Sequence, residues 1–135
     1  GTQNFASAAT LKSALEYVKL LNDNNLITYN DAIRDYVLKA LSDDSRIRLF
    51  GVPRGTSQEK IPLFSFIVEG VHHEDLALIL DKMGIAVRSG QMCAEPLMDR
   101  FGVTGMLRAS FAPYNTMDEA EYFVKCLNRA IDMLI

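Results

Sequence analysis

Pro62-Leu63-Phe64-Ser65-Phe66-Ile67-Val68 is a β-rich run in which Phe64, Phe66 and Val68 share one face. It predicts a strand with a buried side. Directly downstream the period changes. Leu76, Ile79, Leu80 and Met83 recur at helical spacing, with acids in the first turn and Gly84 placed to end the helix over Glu74 to Met83. Ile85 to Arg88 then predicts a short strand, as do Arg46 to Phe50 upstream and Gly105 to Phe111 downstream. Phe64, Phe66 and Phe111 fall at core periods and read as packing, not as a stacking platform.

Helices flank this strand-rich centre. Ala8, Leu11, Leu15 and Val18 form one amphipathic stripe. After the break at Asn22-Asp23-Asn24-Asn25, Leu26, Tyr29, Ile33, Tyr36, Val37 and Ala40 form a second. Pro96 suits the first position of a brief helix that Gly102 would end. Thr116 and Glu119 have capping-box spacing ahead of a stripe of Phe123, Val124, Leu127, Ile131 and Leu134. Gly51 to Lys60 reads as one surface loop. The expected fold class is α/β. Few strands with mixed connections point to a small sheet covered by helices on one face, not to a doubly wound parallel sheet.

The 135 residues, 49% hydrophobic and 23% charged, match an ordinary globular domain. A chain this long buries roughly two-thirds of its unfolded surface, so its core needs no disulfide or structural metal. A net charge of −3 and a pI near 5.3 argue against nucleic acid as a partner. No run approaches the roughly 18 apolar residues of a membrane span, and the N-terminus lacks signal-peptide order. A cytoplasmic protein is expected. Cys93 and Cys126, the two cysteines, read as reduced thiols. No CxxC, HExxH, P-loop or GxGxxG motif is present. His72-His73-Glu74 reads as a polar helix start whose adjacent imidazoles point apart, with no third residue spaced to complete a metal site.

Two residues carry chemical interest. Cys93, in Arg88-Ser89-Gly90-Gln91-Met92-Cys93-Ala94-Glu95-Pro96, lies between a strand and a helix start, where amides and Arg88 would favour thiolate and Glu95 would oppose it. As a lone cysteine it could equally be a small buried hydrophobe. Cys126, inside the last helix, reads as structural. Arg108 interrupts the apolar strand Gly105 to Phe111, and an unpaired guanidinium costs several kcal/mol to bury, on the order of a broken ion pair. Either an internal carboxylate or a ligand carboxylate must meet it.

The segment from Arg88 to Met98, followed by Leu107-Arg108-Ala109-Ser110-Phe111 and Tyr114-Asn115-Thr116, closely resembles the cysteine desulfurases. More narrowly it resembles the SUF-type branch, with its selenocysteine lyase-like members, of the class V aminotransferases. Gly1-Thr2-Gln3-Asn4 resembles that family's Gly-Thr-Pro-Asn turn. The resemblance implies that residues 1–135 are the C-terminal small domain of a fold-type I pyridoxal phosphate enzyme, without the large domain that supplies the Schiff-base lysine. The chain alone is then expected to be inactive and to hold no cofactor tightly.

Carried over residue by residue, the resemblance makes Cys93 the nucleophile that takes sulfur from L-cysteine as a persulfide destined for iron–sulfur cluster assembly, with alanine released. It makes Arg108 the grip on the substrate carboxylate. Gly1 and Thr2 would reach the cofactor phosphate of the neighbouring subunit in a homodimer, and Arg88 would support the sulfur site. The short loop from Cys93 to Pro96 implies a dedicated sulfur-acceptor protein. Met92 and Gln91 stand where the family has histidines, which bears on the choice between cysteine and selenocysteine. Other readings are a different class V lyase and a free-standing sulfur-carrying or binding module.

Overall fold

β-branched and aromatic residues at Leu63–Val68 form the second of four strands in a computed structural model that describes residues 2–51 and 60–135, the side chains of residues 27–29 excepted. The elements run α1 (Phe5–Asp23), α2 (Leu26–Asp43), β1 (Ile47–Phe50), β2 (Leu63–Val68), α3 (His73–Lys82), β3 (Arg88–Gly90), α4 (Glu95–Phe101), β4 (Met106–Ser110) and α5 (Met117–Leu134). The strands form one antiparallel sheet of order β1-β2-β4-β3. The loop expected over Gly51 to Lys60 lies mostly outside the described residues.

Strand alternation sends side chains to opposite faces. Phe64, Phe66 and Val68 of β2 and Leu107 and Ala109 of β4 point to one side, where they meet Ile33, Val37 and Leu41 of α2, Leu76 and Leu80 of α3, and the buried stripe of α5. Phe64 and Phe66 are fully buried, and each such side chain contributes about 2–3 kcal/mol by leaving water. The α/β sheet covered by helices on one face is therefore what the chain adopts. Among the described residues, α4 is the helix that packs on the second face, at one corner, where Met98 is buried with Phe50 and Met106.

Local chemistry fixes the joints. Thr116 Oγ1 accepts from the Glu119 N–H at 3.2 Å while Glu119 Oε2 accepts from the Thr116 N–H at 2.8 Å, the expected capping box. Arg46 donates to Asp44 and to Asp132, both at 2.7 Å, tying the start of β1 to the end of α5. Gly84 takes φ +77° just past α3, a left-handed turn that glycine makes without a Cβ clash.

Two expectations need correction. The strand placed at Ile85 to Arg88 is instead Arg88–Gly90, because Ile85 and Val87 turn into the core as the chain leaves α3 and pairing with β4 begins only at Arg88. The imidazoles of His72 and His73 do not point apart. Their rings stack, with centroids 4.4 Å apart and planes at 29°. His72 is the N-cap of α3, its ring nitrogen accepting from the Glu74 N–H at 3.4 Å, and His73 is buried. The expected stripe of α1 does form a helix face, but no residue of α1 is buried.

Candidate active site

β4 carries Arg108 between two buried neighbours, Leu107 and Ala109, so alternation turns Arg108 to the second face of the sheet. There its register partners are Ser65 on β2 and Arg88 on β3. Among the described residues no carboxylate pairs with either arginine. Arg34, Arg46 and Arg48, by contrast, have carboxylates at 2.7, 2.7 and 3.9 Å. Arg108 Nε is buried with no hydrogen-bond partner. An internal carboxylate for Arg108 is thus absent among the described residues.

Cys93 lies on the loop from β3 to α4, and Met106 holds both ends of that loop. Its backbone pairs with Gly90 at the end of β3, and its side chain packs on Met98 of α4. Ala94, next to Cys93, packs on the cluster of Phe50, Met98 and Met106, so the loop runs past a corner of the second face, the face that carries Arg108. Cys93 is exposed, whereas Cys126 is buried in α5, as expected of a structural thiol.

The loop backbone is strained. Met92 and Cys93 both occupy the left-handed region, at φ +58° and +59°, where a non-glycine residue costs about 1–2 kcal/mol. Two in succession persist only when the surroundings hold them, and such strain clusters at functional sites. The Ala94 N–H donates to Gln91 O at 2.9 Å, closing a turn around them. The helix start offers the sulfur less than its sequence suggests. Pro96, second in α4, has no N–H, and the N–H groups of Leu97 and Met98 both donate to Ala94 O.

The remaining candidates lie elsewhere. Thr2 is exposed ahead of α1, which packs against α2; Gly1 lies outside the described residues. No group of three potential metal ligands occurs among the described residues. A cleft of about 310 Å³ between Gly84–Val87 and Ala109–Phe111 carries Glu119, occupied in the capping box, and Tyr122, whose hydroxyl donates to Met83 O at 3.0 Å. Neither is a free nucleophile.

The sequence profile described as Aminotransferase class-V matches residues 1–123. The chain belongs to the class V aminotransferases. Within that family it is 37% identical over 134 residues to a probable cysteine desulfurase of Vibrio cholerae, covering 99% of this chain and 32% of that protein. To the cysteine desulfurase CsdA of Escherichia coli it is 36% identical, covering 100% of this chain and 32% of the relative. The crystal structure of that enzyme superposes with a TM-score of 0.77 at 37% identity, over 100% of this chain and 32% of the other. The apo cysteine desulfurase of Thermococcus onnurineus NA1 gives 0.82 at 30% identity, over 99% and 33%. The chain thus spans about a third of the length of these relatives.

Class V aminotransferases use pyridoxal phosphate in general. This chain does not carry a covalent anchor for it beside Cys93 and Arg108. Lys12, Lys19, Lys39, Lys82 and Lys125 all stand on α1, α2, α3 or α5, and Lys60 precedes β2 with its ammonium over the Phe64 ring on the core side. The lysines of this chain therefore do not fit the role of covalent anchor to such a cofactor.

Proposed function

We propose that the chain, residues 1–135, is the C-terminal, sulfur-accepting domain of a pyridoxal phosphate-dependent cysteine desulfurase. The observation that supports this reading is an exposed cysteine on a strained loop whose next residue, Ala94, packs on the sheet face of Arg108, an arginine without a carboxylate partner among the described residues. Arg108 binds the α-carboxylate of L-cysteine and so orients its side chain toward Cys93. The Cys93 thiolate attacks the substrate sulfur. An S–S bond forms as the Cβ–S bond breaks, its electron pair stays with the substrate carbon, and that carbon takes a proton and leaves as alanine. Cys93 is left as a persulfide. The cofactor, anchored by a lysine of a large domain outside this chain, supplies the electron sink for the substrate carbon.

Within this reading the complete enzyme is a cytoplasmic homodimer. Gly1 and Thr2 reach the cofactor phosphate of the neighbouring subunit. Selenocysteine is a second substrate of the same geometry, and the persulfide passes to a sulfur-acceptor protein for iron–sulfur cluster assembly. The short loop that pins Cys93 between β3 and α4 limits its reach, which favours delivery to a docked acceptor.

Cys93→Ser in the enzyme containing this chain tests the reading. The expected result is loss of sulfide release and persulfide, with the absorbance of bound pyridoxal phosphate retained. Sulfide release at the wild-type rate would refute the nucleophile. Turnover of another amino acid that survives alkylation of Cys93 would point to a class V lyase without sulfur chemistry.

A further inference from the structure

The antiparallel register sets Arg88 directly opposite Arg108. We infer that these two residues form a single carboxylate site, with Arg88 as its second substrate-binding guanidinium; this rests on the assignment of Arg108 proposed above. Like charges directly opposite across two strands destabilise the pair. A charge-neutralising partner offsets that cost, and among the described residues neither arginine has one from the protein.

The two side chains differ in a way that suits one anion held from two sides. Arg108 is half-buried, with Nε inaccessible and unpartnered, and Arg88 is exposed at the sheet edge. The first is the fixed inner arm and the second the outer one. Ser65, half-buried on the other flank of Arg108, adds a hydroxyl donor. Guanidinium groups bind carboxylates through paired, parallel N–H bonds, and a carboxylate has about four lone-pair directions to receive them. The chain is otherwise acidic, at −3, so this local positive pair selects a small anion and not a polyanion. Because the carboxylate is present in substrate, transition state and product alike, Arg88 contributes uniform binding. Its loss therefore appears in KM and not in kcat.

Acetate is the probe for the chain itself. Thermal unfolding is compared in sodium acetate and sodium chloride at equal ionic strength for wild type, Arg88→Gln, Arg108→Gln and the control Arg100→Gln, an exposed position on α4. Acetate is expected to raise the wild-type and Arg100→Gln Tm, and to leave both Arg88→Gln and Arg108→Gln unmoved. In chloride, Arg88→Gln should melt above wild type, because the like-charge opposition is gone. An acetate response that persists in Arg88→Gln, or is absent from wild type, overturns the paired site. In the complete enzyme, Arg88→Gln should raise KM for L-cysteine about tenfold or more, the loss of one charge-assisted contact, at near-unchanged kcat. A fall in kcat at constant KM overturns the inference and leaves the desulfurase reading intact. If wild type releases no sulfide, that reading fails while the acetate comparison still decides the anion site.

Discussion

Gly105 packs beneath the His73 ring so closely that an added Cβ would lie 2.8 Å from Cδ2. This contact joins the first turn of α3 to the start of β4, the strand that carries Arg108. The His73 ring is buried and its Nδ1 has no partner, so desolvation lowers its pKa; the neighbouring His72 lowers it further and Glu74 raises it. The folded protein thus binds this proton less readily than the unfolded chain. Stability is level above the ordinary histidine value of about 6.5 and falls as pH drops below it, until the folded pKa is passed. The wild-type Tm should decline between about pH 7 and 5, and His73→Asn should flatten that decline. An equal slope in the variant would show that other groups cause it. Asp44 and Glu119 do not confuse the test. Their pKa values are lowered, chiefly by the hydrogen bonds from Arg46 and from Asn115 respectively, so their stabilisation is lost only at more acid pH. The sequence showed the His72-His73 pair but not this role, because burial of His73 depends on a glycine from a distant strand.

At the scale of elements, α4 illustrates how packing and chemistry are joined. It has seven residues, too few to be stable alone, and its anchor is Met98 against Phe50 and Met106. Met98→Ala should cost about 2–5 kcal/mol, the range for emptying a buried methionine site. It should also release the strained Met92–Cys93 backbone. Amide exchange at residues 91–94 is expected to accelerate in this variant while exchange in α5 keeps its wild-type order. Unchanged exchange in the loop would mean that α4 does not hold it. The start of α5 and the glycine stop of α4 were legible because capping boxes and left-handed glycines are local signals. The exact span of β3 was not, since Ile85–Val87 and Arg88–Gly90 are equally plausible strands until the partner strand sets the register.

For the molecule as a whole, the large exposed surface is on α1. Phe5, Leu11, Leu15, Tyr17, Val18 and Leu20 are each more than half exposed, and Leu11, Leu15 and Val18 share one helix face, apolar exposure of the kind that marks interaction sites. Among the described residues no helix is long and apolar enough to cross a membrane. With these apolar side chains exposed, the chain alone should associate as concentration rises, and Leu11→Glu with Leu15→Glu should reduce that association at little change in Tm, because neither residue is buried. Sedimentation velocity at several concentrations decides it, and an unchanged distribution in the double variant would clear α1 of the role. The sequence by itself determined the α/β class, the helical and strand periods, and the candidacy of Cys93 and Arg108, since these rest on residue type and local spacing. Only the tertiary structure decided that Arg108 has no carboxylate partner among the described residues, that Arg88 stands opposite it, and that Met106 pins the cysteine loop. Those facts depend on strand order and register, which arise from contacts between segments far apart in the chain and have no local signature.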